Sequence, residues 1–244
     1  MSVFEDTAAA TLHWNGYWET YGDDARRAAT HEVTAARALE LLAGEDVRHQ
    51  GARILDLGCG DGMLTGLLAA RLPGRMFATD LSERALAAAA GRQGRARYLR
   101  TNAYRLPFRH CRFDAVVSFG YASVASYVGL QSEITRVLKP GGVLVCDFQA
   151  LSLYSALRPL RTVDAWRRWR REEPKMVHWN VRGIRRSFAS AGLVLETVVP
   201  ALHFPPLQGP MWSKTFFLTF ERIAVRAGLG WMGRAFLARF RKSG

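Results

Sequence analysis

Short apolar runs alternate with helical patterns of apolar positions through the first 150 residues of the chain. Five runs have the length and composition of buried strands: Arg53–Leu57, Arg75–Thr79, Ala96–Arg100, Phe113–Phe119 and Val143–Phe148. Helical segments lie between strands, among them Met63–Leu72 and the Ala-rich Glu83–Ala90. This alternation predicts an α/β fold with a doubly wound, mostly parallel sheet and helices on both faces.

The pattern changes after the fifth predicted strand. Residues 149–180 are too long for an ordinary loop and have helical spacing, which predicts a helical lid insertion after strand 5. A helix over Val181–Ala191, a strand over Leu193–Val199, a second insertion at residues 201–233 and a last strand over Arg234–Phe240 follow. The chain is therefore predicted to be a single domain with a seven-stranded sheet.

Residues 1–50 precede the first predicted strand and are expected to form an N-terminal helical cap, with a helix over Thr11–Leu42. Four aromatic side chains fall at the spacing of one helical face: Trp14, Tyr17, Trp18 and Tyr21. Such a face either packs against the core or forms a flap over a ligand cleft, and the two interpretations overlap. The cap leads into a core at residues 51–148, and residues 181–244 complete the sheet.

The formal net charge of +13 is concentrated in the last part of the chain. Residues 1–150 hold 17 Lys/Arg and 16 Asp/Glu, whereas residues 151–244 hold 17 and 5. This asymmetry indicates an anionic substrate, nucleic acid or lipid partner, or else a solvated basic surface. The densest stretch is Asp164–Trp179, with three tryptophans and four arginines, and it falls within the predicted lid.

Cysteine spacing and hydropathy set the expected compartment. The cysteines Cys59, Cys111 and Cys146 lie far apart without CxxC spacing, which argues against a zinc site and a disulfide framework. No apolar run approaches the about 20 residues needed to span a bilayer, and the N-terminus lacks a signal-peptide pattern. We therefore expect a cytoplasmic protein, and the sequence predicts no metal cluster.

The segment Ile54–Gly62, ILDLGCGDG, follows the first predicted strand and opens a helix. Glycines there allow a tight turn and close approach of a ligand, and the helix N-terminus offers free N–H groups. The chain has no GK[ST] sequence, which excludes a P-loop. Asp80, at the end of the second strand, is suited to accept both hydroxyls of a ribose, while Ser82 is the better helix N-cap. For Asp56, the alternative to a role in the ligand site is that of a turn-forming residue that holds the glycine loop by hydrogen bonds, and the two roles are compatible.

Four segments together resemble class I S-adenosylmethionine-dependent methyltransferases, most of all the small-molecule branch that includes the ubiquinone/menaquinone-biosynthesis enzymes. They are ILDLGCGDG (54–62), ATDLS (78–82), TNAYRLPFRHCRFDAVVSF (101–119) and EITRVLKPGG (133–142). Their order and spacing agree over residues of about 50 to 148. The resemblance implies a Rossmann-like methyltransferase fold, S-adenosylmethionine as cofactor, and methyl transfer to a small, bulky or partly apolar acceptor.

The resemblance also implies which positions bind the cofactor. These are Asp56, Gly58, Cys59, Gly60, Asp80, Leu81, Asn102, Ala103 and Phe119. The loop glycines would hold the methionine part, with Asp56 beneath them; Asp80 would bind the ribose, and Leu81 would pack on the adenine. Asn102 and Ala103 would meet the adenine edge. Asn102 stands where the family usually has Asp, so we expect weaker but retained adenine recognition.

Methyl transfer from a sulfonium is a direct displacement, so the protein mainly aligns the reactants and excludes water. A general base is needed only if the nucleophile must lose a proton. Two residues are candidate catalytic groups: His178, in the predicted lid beside Trp179, and Tyr121, two residues after the fourth strand. A surface or capping histidine and a packing tyrosine are the alternative interpretations.

Two alternatives keep the chemistry and change the partner. An RNA-directed enzyme would use the basic C-terminal portion. The run of Asp, Asn or Ser followed by Pro-Pro-aromatic that accompanies base-amino methylation is absent after the fourth strand, where the chain has SFGYAS. A membrane-peripheral enzyme with a lipophilic acceptor would use residues 211–242, which mix apolar, aromatic and basic side chains. A core-packing helix over residues 215–227 is the competing interpretation of that segment.

Overall fold

The computed structural model describes residues 7–20, 25–44, 47–92, 94–120, 127–150, 178–202, 212–230, 233 and 235–244. Most of the predicted lid, residues 151–177, lies outside the described residues. So do Tyr21, Tyr121 and the HFPPLQGP segment at residues 203–210.

Helices and strands alternate along the described part of the chain. The helices are α1 (Thr7–Thr20), α2 (Ala25–Leu41), α3 (Met63–Ala69), α4 (Glu83–Ala90), α5 (Tyr127–Val137), α6 (Val181–Ala189) and α7 (Lys214–Arg226). The strands are β1 (Arg53–Leu57), β2 (Arg75–Asp80), β3 (Arg97–Arg100), β4 (Phe113–Ser118), β5 (Leu138–Ala150), β6 (His178–Trp179), β7 (Leu193–Ala201) and β8 (Ala235–Lys242).

Seven strands form one sheet in the order β3-β2-β1-β4-β5-β8-β7. The pairs from β3 through β5 are parallel, and β8 runs antiparallel between β5 and β7. The predicted seven-stranded, mostly parallel sheet is confirmed. The two-residue strand β6, which the apolar pattern is too short to reveal, pairs with the end of β5. The chain order reverses between β1 and β4, the place where sheets of this kind bind ligands.

Helices cover both faces of the sheet, which explains why the central strands are apolar throughout. In β1, Ile54 points into a core layer shared with α2, α3 and α7, whereas Leu55 points into the layer that α6 covers. In β5, Val143 and Leu144 alternate in the same way. The two faces together align the carboxyl ends of β1, β2, β4 and β5 along one edge.

Several element boundaries differ from those predicted. The described part of the N-terminal cap consists of α1 and α2, where a helix over Thr11–Leu42 was predicted, and residues 21–24 lie outside the described residues. Strand β5 begins at Leu138 rather than Val143, because the strand accommodates the Pro140–Gly142 segment with a register shift against β4. Helix α3 ends at Ala69, earlier than the predicted Leu72.

The second predicted insertion contains α7, and this helix packs on the core. Phe217 and Ala224 are buried on its inner side, and Phe217 joins the core layer under α2. The interpretation of residues 215–227 as a core-packing helix is therefore confirmed. The outer side of α7 is a separate surface, on which Phe220 and Ile223 are exposed.

The positive charge of the C-terminal portion does not form one continuous surface among the described residues. Some of it is used inside the fold: Arg239 and Arg241 bind Glu196, and Lys214 binds Glu32. The remaining exposed arginines lie on two helices: Arg182, Arg185 and Arg186 on α6, and Arg222 and Arg226 on α7. Because α6 and α7 cover opposite faces of the sheet, these two groups point away from each other.

Candidate active site

A cavity of about 570 Å³ opens at the carboxyl ends of β1, β2, β4 and β5, and α1 and α2 form its other walls. All nine positions that the sequence predicts to bind the cofactor line it: Asp56, Gly58, Cys59, Gly60, Asp80, Leu81, Asn102, Ala103 and Phe119. We call the part formed by the loops after β1, β2 and β3 the glycine-loop end. The part formed by the ends of β4 and β5 is the β5 end.

The loop after β1 folds tightly because its glycines adopt left-handed backbone angles. Gly60 has φ 54°, and a Cβ built there would come within 2.5 Å of Trp18 Cζ2. The backbone N–H groups of Gly58 and Cys59 both donate to the carbonyl of Thr79, at 2.8 and 2.9 Å. Only glycine tolerates both this backbone conformation and this close approach at position 60.

Asp80 ties the glycine loop to the loop after β2. Its Oδ2 accepts the N–H of Gly60 and its Oδ1 accepts the N–H of Ser82, both at 2.9 Å. Burial raises the pKa of Asp80 above its usual range, against the lowering effect of these two bonds. Each oxygen keeps a lone pair for a ligand hydroxyl. Ser82 caps α4, as predicted, by accepting the N–H of Ala85 at 3.2 Å.

Asp56 is buried beneath the loop and binds a helix rather than the loop itself. Its Oδ2 accepts the Thr65 hydroxyl, from α3, at 2.5 Å. Asp56 thus contacts the helix after the loop instead of tying the loop itself, because α3 follows the loop directly and brings Thr65 over the strand. Burial raises the pKa of Asp56 to about 7, and the charge of Asp80 adds to the shift.

Helix α1 spans the loops at the glycine-loop end. Trp18 lies on Gly60, Asn15 Oδ1 accepts the Ser82 hydroxyl at 2.7 Å, and the Asn102 amide donates to the Thr7 hydroxyl at 3.0 Å. Trp14 and Tyr17 also line the cavity. The predicted aromatic face of this helix therefore faces the cavity and packs on its wall at the same time.

Sequence reasoning missed the contribution of α2. Four of its residues that we did not single out line the cavity: Arg26, Arg27, Thr30 and Thr34. His31, also on α2, lines it as well. Their helical spacing was visible, but nothing in the sequence indicated that this face of α2 would turn towards the glycine loop.

An ion-paired cluster holds α2 to the glycine loop. Asp61 Oδ2 accepts from Arg27 Nη2 and from Arg92 Nη2, each at 2.6 Å. Burial raises the pKa of Asp61, but Arg27 and Arg92 outweigh it and hold the pKa below its usual range. The Nε atoms of Arg26 and Arg27 are buried, and the described residues offer them no acceptor.

The β5 end holds a second buried carboxylate that the sequence analysis missed. Asp147 Oδ1 accepts the N–H of Gly120 at 2.8 Å, and burial raises the pKa of this side chain to about 6. Among the described residues, no cationic side chain forms a salt bridge with it. Its position was a usable signal, since it is the polar residue near the carboxyl end of the otherwise apolar strand predicted over Val143–Phe148.

Of the two predicted catalytic residues, the structure describes only one. Tyr121 lies outside the described residues. His178 lies in β6, where its backbone is opposite Gln149, a residue that lines the cavity. Within the described ranges, no three His, Cys, Asp or Glu side chains come together as a metal-binding group.

Residues 54–142 match the family model described as "Methyltransferase domain". This segment therefore has the sequence of a methyltransferase domain. The matched segment runs from the glycine loop to the Pro-Gly-Gly of β5, and it contains every predicted cofactor-binding position. The resemblance noted from the sequence motifs is confirmed.

The methyltransferase domain is similar to quinone-modifying enzymes. A demethylmenaquinone methyltransferase of Clavibacter sepedonicus is 34% identical over 152 residues, which cover 60% of this chain and 57% of that protein. A chloroplastic 2-phytyl-1,4-beta-naphthoquinone methyltransferase of Arabidopsis thaliana is 38% identical over 111 residues, 41% of this chain and 42% of that protein. The chain thus spans about half the length of the curated relatives it matches.

The same fold is found in a solved structure. Magnesium protoporphyrin IX methyltransferase from Synechocystis PCC 6803, with bound SAH, superimposes with a TM-score of 0.64 over 98% of this chain and 100% of that chain. The sequence identity is 14%, so this likeness bears on the Rossmann-like methyltransferase fold alone.

Proposed function

We propose that this chain transfers a methyl group from S-adenosylmethionine to a lipophilic aromatic acceptor of the quinol type. One observation carries the proposal: nine positions from four separate loops, each predicted from the sequence motifs, line a single cavity. The names of the Clavibacter and Arabidopsis relatives indicate the acceptor class. The proposed mechanism is direct displacement, with proximity and orientation supplying most of the rate enhancement.

The glycine-loop end suits the cofactor. Asp80 has acceptor capacity left for ribose hydroxyls, and Leu81 and Ala103 offer apolar contact for an adenine ring. The buried Nε atom of Arg26 has no acceptor among the described residues, and an anionic oxygen of a ligand would satisfy it. When bound, S-adenosylmethionine supplies a methyl group already activated on a sulfonium. The side-chain carbonyl of Asn102 already accepts the N–H of Tyr104 at 2.9 Å. The adenine amino group would therefore donate to the second lone pair of that oxygen.

The β5 end suits an aromatic hydroxyl compound. Phe119, Leu202 and the aromatic side chains of α1 provide apolar walls that exclude water. In the proposed mechanism, Asp147 accepts the hydroxyl proton of the acceptor as the nucleophile develops, and it later releases this proton to solvent. A carboxylate whose pKa is raised to about 6 is a stronger base than an ordinary aspartate and is still ionised at neutral pH.

Methyl transfer is tested directly with labelled cofactor. The protein is incubated with S-adenosylmethionine carrying a labelled methyl group and with a reduced 1,4-naphthoquinone bearing a short prenyl chain. The expected result is protein-dependent label in the naphthoquinol with equimolar S-adenosylhomocysteine. If the protein binds S-adenosylmethionine and yet labels no quinol of a naphthoquinol and benzoquinol series, the acceptor class is wrong. If it does not bind S-adenosylmethionine, the proposed function fails as a whole.

Peripheral contact with a membrane is a second proposal, favoured by the outer side of α7. Ile223 is 61% exposed and Phe220 38% exposed, and the exposed Arg222 and Arg226 lie beside them. Apolar side chains flanked by arginines suit an anionic lipid surface. None of the described helices has the length and hydropathy to cross a bilayer. Co-sedimentation with phosphatidylglycerol vesicles at low salt, lost in Ile223→Ser, is the expected result; equal sedimentation of both proteins would contradict it.

A further inference from the structure

Arg26 is a cation in the cavity wall whose guanidinium forms no salt bridge with the described residues. It lies in the first turn of α2 and lines the cavity together with Arg27. Its Nε atom is buried, and no acceptor within the described ranges reaches it. Leaving a buried charged donor without an acceptor costs free energy. A ligand that supplies an anionic oxygen would remove this cost.

The neighbouring arginine fixes where this cation stands. Arg27 Nη2 binds Asp61 of the glycine loop at 2.6 Å, and the Arg27 guanidinium lies 5.7 Å from the centroid of the Trp18 ring. Trp18 in turn lies on Gly60. The first turn of α2 is therefore fastened to the glycine loop. Arg26, one residue earlier in that turn, lines the same cavity as the glycine loop.

The carboxylates at the glycine-loop end of the cavity already have other partners. Asp61 accepts from both Arg27 and Arg92, and its lowered pKa keeps it ionised with those two partners. Asp80 accepts two backbone N–H groups, and Asp56 accepts the Thr65 hydroxyl. Among the described residues, none of these carboxylates is available to Arg26, and a ligand that enters the cavity can supply the anionic partner.

We propose that Arg26 binds a carboxylate group of a ligand, and that the amino-acid end of the S-adenosyl cofactor supplies it. The inference rests on the proposed function, because it takes the cofactor from there. A guanidinium matches a carboxylate geometrically and can donate two parallel hydrogen bonds to it. Arg27, held by Asp61, is a positioning residue for the helix turn that carries Arg26. A carboxylate on the acceptor is the other source of the same chemistry.

Two adenosine compounds separate these sources in a calorimetric titration. S-adenosylhomocysteine has the carboxylate, whereas 5′-methylthioadenosine keeps the adenosine and the sulfur but lacks the amino-acid end. Arg26→Met should weaken the binding of S-adenosylhomocysteine about 10- to 100-fold and leave 5′-methylthioadenosine within about twofold. Arg26→Lys keeps the charge without the planar fork, so it should lose a smaller part of the affinity.

The matched control is Arg37→Met, which makes the same substitution on the same helix. Arg37 pairs with Glu40 and lies outside the cavity lining, so neither compound should bind differently. Thermal unfolding of each variant establishes that it is folded. If Arg26→Met proves unstable, the ratio of the two affinities in Arg26→Lys provides the same test.

The acceptor is tested with 2-naphthoate, added to protein saturated with S-adenosylhomocysteine. Loss of 2-naphthoate binding in Arg26→Met, with unchanged affinity for S-adenosylhomocysteine, would assign the carboxylate to the acceptor instead of the cofactor. If Arg26→Met alters the affinity for neither S-adenosylhomocysteine nor 2-naphthoate, Arg26 does not bind a carboxylate and the proposal is wrong. If the wild-type protein binds neither adenosine compound, the proposed function is contradicted, and this inference falls with it.

Discussion

The two ends of the cavity are built from different kinds of sequence. At the glycine-loop end, the positions that face the cavity come from contiguous motifs, and the central carboxylate, Asp80, is held by two backbone N–H groups. At the β5 end, Asp147 receives one such bond from another loop, that of Gly120. Its surroundings come from segments far apart in the chain. The proposed cofactor site is thus encoded locally, whereas the proposed acceptor site depends on tertiary packing.

The largest expected effect is at the glycine-loop end, in Asp80→Ala. The substitution removes the acceptor of two loop N–H groups and the proposed ribose contact, so S-adenosylhomocysteine affinity should fall about 1000-fold or more. Isothermal titration measures it. Asp114→Ala is the matched control, since Asp114 also accepts a backbone N–H, from Arg53, but lies outside the cavity lining. Equal affinities of Asp80→Ala and wild type would show that the two ends do not differ as we describe.

At the β5 end, Asp147→Asn should separate catalysis from cofactor binding. Asn keeps an acceptor for the Gly120 N–H but is not a base, so turnover of the reduced naphthoquinone should fall about 100-fold. The affinity for S-adenosylhomocysteine should stay within about twofold. Steady-state kinetics and titration on the same preparation measure both. A parallel loss of both quantities would make Asp147 part of the cofactor site and remove the distinction between the ends.

Much of the fold and of the glycine-loop end could be predicted from the sequence, for a local reason. Strand length, glycine spacing and the Ser82 cap each depend on a few consecutive residues. Arg26 could not be assigned in this way, because its place depends on how α2 crosses the sheet.

A pH series tests the buried carboxylate of Asp56, for which we expect an effect of intermediate size. The folded-state pKa of Asp56 is about 7, above the usual aspartate value of 3.8, so the folded state binds the proton more tightly than the unfolded state. The resulting stabilisation is present below about pH 4 and is lost as the pH rises through 7. Between pH 5 and 7.5, Asp56→Asn should reduce the decline in the free energy of unfolding by an amount on the order of 2 kcal/mol.

The control for that series is Asp114→Asn. Burial raises the pKa of Asp114, but the hydrogen bonds from Lys139 and Arg53 outweigh it and hold the pKa below its usual range. Its titration therefore lies below pH 5, and the substitution should leave the slope between pH 5 and 7.5 as in wild type. Urea denaturation at each pH provides the measurement. An unaltered slope in Asp56→Asn would mean that Asp56 is ionised across this range.

The smallest expected effect concerns how closely α1 covers the glycine-loop end. Gly60→Ala brings a methyl group within 2.5 Å of Trp18 Cζ2 and strains the backbone at φ 54°. Gly141→Ala imposes the strain alone, since Gly141 has φ 73° and open space around it. We expect Gly60→Ala to cost about 1 kcal/mol more than Gly141→Ala in unfolding free energy. In a Trp18→Ala background the ring is gone, so that excess should disappear. An excess that persists there would mean that Trp18 does not rest on the loop, and the cofactor would then be covered by something other than α1.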